Sequence, residues 1–394
     1  MRIAVVGGGV GGLTAAVALL RAGAEVTVLE QAPELRPVGA SLQLGPNATR
    51  LLRDLDLLEP LRAVASRPQA VDLLRWDDGS LLLHAEHGDA AEAHFGTPQL
   101  DFFRPDLHRA LVASLPAGVL RLGARVVAVA DDGVVLEGGD RVSANGVVAA
   151  DGIRSPIRQQ IVGPEEPVFS GTVVYRGVIP RAAAADLHPD ETNRYWIGPY
   201  RHGVSYWISR GELLALNLGV QRADWSEESW TREVTAEEAD GYLEGWDDAL
   251  RERVRRCGRV LRGGVFVREP IEHWTYGRVT LLGDAAHAME PFQAQGAAQA
   301  VEDAYVLGAC VAAGDGDLEA AFVRYERIRM ARAVELQNEA RDAGFEFFLE
   351  DGPAQRERDG RFRLLPAAQP FGTRQGVWEY DVRDALAEAP GAAT

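Results

Sequence analysis

Gly7, Gly9 and Gly12 stand in G-x-G-x-x-G spacing, and Glu30 follows eighteen residues after the last of them. Glycines so spaced let a chain turn tightly, let a diphosphate approach the backbone and let the next helix sit close to the strand. The free N–H groups and positive dipole end of that helix then face the diphosphate. Glu30 can accept hydrogen bonds from a ribose hydroxyl and disfavours a 2′-phosphate, so FAD or NAD is expected here over NADP. Two more carboxylates are placed alike. Asp151 ends the apolar run Val147-Val148-Ala149-Ala150 and precedes Gly152; Asp284 follows Gly283 at the end of Arg278-Val279-Thr280-Leu281-Leu282. An acid at the carboxyl end of a parallel strand reaches the ligand edge of a doubly wound sheet, where it can accept from ribitol hydroxyls. His202 and Tyr206 are four apart in an alternating run, so they share one face of a strand. An imidazole with an ordinary pKa near 6.5 can relay a proton at neutral pH.

These residues need elements to hold them. Arg2 to Val6 reads as a strand, Leu13 to Ala22 as a helix and Glu25 to Glu30 as a second strand. The middle of the chain reads differently. Thr172 to Val178, Val204 to Ser209 and Leu213 to Leu218 alternate, and Arg210-Gly211-Glu212 is a turn between the last two. That is a hairpin pattern. It predicts a mostly antiparallel sheet covered on one side, with a strand pair near Val71–Arg75 and Ser80–His84 joining it. Such a sheet would carry a substrate. Leu318 to Ala343 has helical spacing and predicts one long helix. Residues 345–394 carry scattered Gly and Pro, and a frayed tail is expected after about residue 388. The fold class expected is α/β: a Rossmann-like domain binding FAD or NAD (an FAD-binding domain under the resemblance given below), a second and mostly antiparallel β-sheet domain for the substrate, and a C-terminal helix. The expected dinucleotide-binding domain is discontinuous, at 1–70, 96–164 and 271–350. The substrate domain takes 71–95 and 165–270, and a partly frayed segment takes 351–394.

Composition narrows the partners. The chain has 394 residues and a net charge of −17, which argues against nucleic acid and against an anionic membrane surface. There is no Lys, so all 41 basic residues are Arg. Cys257 and Cys310 lack metal-ligand spacing and are expected as reduced thiols. His84, His87 and His94 lie in a loop-like acidic stretch, and no metal site is expected. No run of about 18 apolar residues predicts a membrane span. No leader with a small-residue cleavage site is read at the start, so a cytoplasmic protein is expected.

Three motifs now combine: Gly7-x-Gly9-x-x-Gly12, Asp151-Gly152 within AADGIRSPIR, and Gly283-Asp284 within LLGDAAHAMEPFQAQGAAQAVEDA. With them the chain resembles the class A flavoprotein aromatic hydroxylases, which have the para-hydroxybenzoate hydroxylase fold. VGASLQLGPNATRLL and FFRPDLHRAL resemble the salicylate and 3-hydroxybenzoate hydroxylase branch. The motifs span residues 1 to about 310. The resemblance implies that Glu30 holds the adenosine ribose and Arg104 the diphosphate or ribitol region. It implies that Asp284 binds the ribitol or diphosphate side, and that Gly296 and Ala297 offer amides at the flavin pyrimidine edge. Asp151 is implied in FAD and NAD(P)H binding, and Arg36 is a further cofactor-side candidate. Gln43, His202 and Tyr206 fall where relatives contact the substrate, and Pro291 lies on the oxygen-reacting side of the ring. One departure is plain. The commonest family pattern Pro-x-x-Gly-x-Gly reads Pro291-Phe292-Gln293-Ala294-Gln295-Gly296.

The activity implied is hydroxylation of a phenolic or N-heteroaromatic acid by O2, through a flavin C4a-hydroperoxide, with NADH or NADPH as a transient reductant. Removing a phenol proton through His202 and Tyr206 would raise electron density on the ring. Two other readings stay open: a related monooxygenase acting on urate or a larger aromatic metabolite, and a non-catalytic flavin-binding redox protein. Substrate, ring position, accompanying decarboxylation, the choice of NADH or NADPH, and monomer or homodimer are not legible.

Overall fold

The computed structural model describes residues 1–34, 41–225 and 232–388. Arg36 lies outside the described residues, as does the tail after 388.

The first strand, Arg2–Val6, is apolar on both faces and sits inside a six-stranded sheet. A strand buried on both sides is what parallel sheets require. The order across the sheet is Thr275–Tyr276, Val279–Leu281, Gly146–Ala149, Arg2–Val6, Glu25–Leu29 and Leu120–Arg121. All neighbours are parallel except the first pair. Register fixes the ligand edge. Val6 lies beside Leu29 on one side and Ala149 on the other, and Ala149 lies beside Leu281. The strands therefore end together, and Gly7, Glu30, Asp151 and Asp284 follow from adjacent carboxyl ends. Helix Val10–Arg21 packs tightly on helix Gly296–Ala313, because Gly308 meets Ala18 and Gly11 meets Ala300 with no side chain between them.

The second sheet has eight strands, ordered Arg232–Val234, Val260–Val267, Val168–Pro180, Leu213–Gln221, Arg201–Ile208, Thr192–Gly198, Ala70–Arg75 and Leu81–Glu86. Only Thr192–Gly198 and Ala70–Arg75 pair in parallel. The expected hairpin forms between Arg201–Ile208 and Leu213–Gln221. One expectation fails. The sheet is covered on both sides, not one. Trp196, Trp207, Leu216 and Leu218 pack under Trp246, Leu250 and Val254 on one face. Leu73, Leu83, Tyr195, Ile197 and Tyr206 pack with Phe362 on the other. The strands alternate because their second face carries polar residues such as Asn193 and His202, and these are buried too.

A two-stranded ribbon, Ser41–Leu44 with Leu100–Phe103, lies at the site described below. Val126–Ala130, Gly133–Leu136 and Arg141–Ser143 form a separate meander. The long helix runs Leu318–Phe347, four residues past the expected end. The segment after it is more ordered than its Gly and Pro content suggested. It forms helices Pro353–Leu364, Gln375–Glu379 and Val382–Glu388. Trp378 anchors it, 1 % exposed, against Gly45 and the ring of His87. The histidine stretch differs as well. His84 lies in strand Leu81–Glu86 and meets Asp72 at 2.6 Å, and His87 is buried at the start of helix Gly88–Phe95. Both cysteines are free and buried. Among the described residues no His, Cys, Asp and Glu group is arranged to hold a metal, and no helix is long and apolar enough to cross a membrane.

Candidate active site

The glycines behave as their spacing implies. Gly7 has φ +102°, and a Cβ there would collide with the Ala150 carbonyl. A Cβ on Gly12 would strike the Gly7 carbonyl oxygen. A Cβ on Gly9 would meet nothing within 4 Å. That space opens on the first turn of helix Val10–Arg21, which no side chain caps and which contains no acidic residue. Glu30 accepts from the Gly8 amide at 2.7 Å and the Ala32 amide at 2.8 Å, which fixes its carboxylate at the lip. Its remaining lone pairs stay available to a ribose.

The rest of the edge is similarly prepared. Asp284 is exposed, and Oδ1 lies 3.9 Å from where a Gly296 Cβ would stand. Gly296 and Ala297 open the 18-residue helix Gly296–Ala313, again without a side-chain cap. Ala294 takes a left-handed conformation at φ +53°, the conformation that the usual glycine adopts freely. Pro291 is exposed at the start of the turn Pro291–Gln293. Arg104 is exposed at the head of helix Arg104–Ala113, near Arg176 of strand Val168–Pro180. Burial and the charge of Arg104 lower the Arg176 guanidinium to about 10. Both oxygens of Asp151 are buried with no hydrogen-bond partner, and burial pushes its carboxyl up to about 6. A buried carboxyl at the strand edge, uncapped helix ends and the nearby Arg104 fit a diphosphate and a polyol chain.

Asp151 gives a prediction. Its folded carboxyl titrates above the unfolded one, so it contributes stability below pH ~4 that is lost as pH rises through about 6. Asp151→Asn should flatten the FAD-free protein's stability between pH 4 and 7. Urea unfolding midpoints across that range check it, and an unchanged slope would refute it.

The turn Pro291–Gln293 also borders a second space, about 630 Å3 with its open mouth counted. Phe292, Phe347, Phe362, Leu73 and Leu83 give it apolar walls, and Tyr195 and Arg374 give it a polar end. Gln43 is behind that end. Its Oε1 accepts from the Tyr195 hydroxyl at 2.8 Å and from Arg374 at 2.7 Å. Tyr206 donates to Ser41 Oγ at 2.7 Å, and Asn217 donates to the same oxygen at 3.1 Å. Burial, with the charge of Asp101 nearby, holds the Tyr206 phenol far above its usual range, so it remains a donor. His202 is buried, with its ring 5.3 Å from Phe292 and 5.4 Å from Phe348, centre to centre. Its Nδ1 has no partner, and burial lowers it to about 4. The imidazole is therefore neutral at pH 7, where an ordinary histidine would be partly charged.

The first 340 residues match the model of the FAD-binding domain family. The chain belongs to the class A flavoprotein aromatic hydroxylases. It is 40% identical to a 3-amino-4-hydroxybenzoate 2-monooxygenase of Streptomyces platensis, over 96% of each chain. It is 35% identical to a 3-hydroxybenzoate 6-hydroxylase of Klebsiella oxytoca, covering 87% of this chain and 88% of that one. A 6-hydroxynicotinate 3-monooxygenase of Pseudomonas fluorescens is 34% identical over 86% and 90%. A salicylate hydroxylase solved with its substrate superposes with a TM-score of 0.83 at 25% identity, covering 100% and 99%. Like its relatives, this flavoprotein hydroxylase is an FAD-dependent oxidoreductase of mixed α/β fold.

The hydroxylase fold gathers Gly7, Gly9, Gly12, Glu30, Asp151 and Asp284 on one edge, with Gly296 opening its helix beside Asp284. It places Gln43 and Tyr206 around Ser41, Tyr195 and Arg374, while His202 reaches the pocket only through Phe292 and Phe347. Tyr195, Arg374, Asp101 and Arg176 were not singled out from sequence. Arg176 sits in an alternating strand like many surface arginines, and Arg374 lies 331 residues from Gln43.

Proposed function

We propose that this hydroxylase inserts one oxygen atom of O2 into the ring of an aromatic acid, with NADH or NADPH as reductant. The observation that carries this reading is the turn Pro291–Gln293, which lines the aromatic-walled pocket and leads within three residues to Gly296 beside Asp284. Bound FAD would supply the redox chemistry: it takes up hydride from the nicotinamide and makes O2 an oxygen donor.

The chain's own residues supply position, dryness and proton control. Glu30 would hold the ribose, Arg104 and the amides after Gly9 the diphosphate, and Asp151 and Asp284 the ribitol hydroxyls. The Gly296 and Ala297 amides would meet the pyrimidine edge, with Pro291 packed against the ring. The apolar walls of Phe292, Phe347 and Phe362 would limit water around a bound ring, which suppresses wasteful loss of peroxide. Tyr206 orients a substrate hydroxyl. His202 Nδ1, buried behind Phe292 and Phe347, would accept a hydrogen bond from a substrate hydroxyl once those rings shift, and because burial makes it a weak base, it would polarise that O–H more than strip it. A cytoplasmic setting, where both nicotinamides are available, fits this reading.

The test is NADH and NADPH oxidation by FAD-loaded protein with 3-amino-4-hydroxybenzoate, 3-hydroxybenzoate, 4-hydroxybenzoate, salicylate, hydroxynicotinates and urate. One aromatic acid should stimulate oxidation strongly and leave a product one oxygen heavier, labelled from 18O2. Stimulation by none of them would overturn the reading. With that substrate, His202→Ala should cut hydroxylation about 100-fold and Tyr206→Phe about tenfold, with more peroxide released per NAD(P)H. Full activity and tight coupling in both variants would sink their assignment to proton control.

A further inference from the structure

Arg374 lies 34 residues past the family-matched segment, on the loop before helix Gln375–Glu379. It enters the polar end of the pocket. Nη1 donates to Gln43 Oε1 at 2.7 Å, Nη2 donates to the Tyr195 hydroxyl at 3.1 Å, and the guanidinium lies 5.6 Å from the Tyr195 ring centre. Both partners are neutral. Among the described residues no carboxylate forms an ion pair with Arg374. The acids around it are committed elsewhere. Asp101 accepts from Gln99 at 3.0 Å and Asn193 at 2.6 Å, Glu346 pairs with Arg361, and Glu379 accepts from Gln375.

A guanidinium has five N–H groups, and each terminal nitrogen of Arg374 keeps one after these bonds. Gln43 Oε1 and the Tyr195 oxygen, 2.8 Å apart, take the end of the guanidinium, so the edge left for a ligand is Nε–H with the Nη–H beside it, a parallel pair that also matches a carboxylate. The fork is held at a fixed angle by Gln43 and Tyr195, which the two sheets position independently. The walls beside it, Leu73, Leu83, Phe292, Phe347 and Phe362, suit a flat ring. A cation kept half out of water by apolar walls gains most from an anion brought to it.

We infer that Arg374 binds the substrate carboxylate, so that the C-terminal segment selects aromatic acids over uncharged rings of the same shape. The inference rests on the function proposed above. Gln43 and Tyr195 then act as positioning residues for the guanidinium.

The test uses FAD-loaded enzyme and the acid that stimulates it, beside the primary amide of that acid. Binding is read from the change in flavin absorbance. The wild type should bind the acid at least ~30-fold tighter than the amide. Arg374→Gln should weaken the acid by a similar factor, leave the amide within about threefold and so erase the preference. Arg374→Lys should restore part of it, because the charge returns without the fork. FAD content and thermal midpoint report whether the variants fold. Equal weakening of acid and amide in folded Arg374→Gln, or an acid preference that survives, would overturn the inference and leave the proposed function standing. If the wild type binds no aromatic acid, the proposed function falls and this inference with it.

Discussion

Gly9→Val should give a protein that folds normally and does not retain FAD. Gly9 has φ −74° and extended ψ, so its backbone accepts any residue, and no atom lies within 4 Å of the added Cβ. The neighbouring glycines differ. Gly7 needs its positive φ, and Gly12 has the Gly7 carbonyl where a side chain would go. The space above Gly9 is where a diphosphate would meet the uncapped first turn of helix Val10–Arg21. A valine there holds the phosphate oxygens away from those amides, and each charge-assisted hydrogen bond lost costs about 1.5–3 kcal/mol. FAD affinity should fall at least ~100-fold, about 2.7 kcal/mol, while the thermal midpoint of the FAD-free protein stays within a degree or two of wild type. Fluorescence titration with FAD and a thermal melt of the same sample decide it. Wild-type affinity in Gly9→Val would show that the cofactor does not lie on this turn.

The second large effect is on stability. Arg329 is fully buried in helix Leu318–Phe347. It donates to Asp303 at 2.9 Å, to Glu302 at 2.8 Å and to Gln299 at 2.6 Å. Asp303 in turn accepts from the Gly283 amide at 3.0 Å and meets His287 at 2.6 Å. Glu302 accepts from Asn47 at 2.8 Å and from Gln299 at 2.8 Å. Burial pushes the Asp303 carboxyl up, but His287 and Arg329 outweigh it and hold it below the usual range. Arg329→Leu leaves two carboxylates buried without their cation, and such a break costs about 3–5 kcal/mol. Urea unfolding at pH 7 should show that loss. The remaining wild-type contribution of Asp303 is full above pH ~4 and is lost as pH falls below its depressed folded value. A denaturation midpoint close to wild type in Arg329→Leu would mean that the network is not under electrostatic load. FAD retention should drop too, because Asp303 holds Gly283 next to Asp284.

The cofactor side was legible because its chemistry is local. Gly7 to Glu30 is one strand, turn, helix and strand in sequence, and the two later Asp motifs announce the same edge. The substrate side was only partly legible. The i, i+4 spacing placed His202 and Tyr206 on one face, but alternation could not show that a second layer buries that face. His202 therefore lies among Phe292, Phe347 and Phe348 and has lost its ordinary basicity. The network around Arg329 draws on Asn47, His287, Gln299, Glu302 and Asp303, which no short window contains. Arg374 was hidden for the opposite reason. Its segment is short, Gly- and Pro-rich and weakly periodic, and it is ordered by tertiary contacts such as Trp378 against Gly45.

That Trp378-anchored segment divides the labour of the molecule along the chain. The edge that holds the cofactor is written before residue 340, and the charged end of the pocket is written after it. If Arg374 holds the carboxylate as inferred, substitutions beside it would change which acid is accepted while leaving Gly7, Gly9, Gly12 and Glu30 as they are. Exchanging this stretch with that of a relative would then alter substrate choice while the strand edge before residue 340 stays as it is.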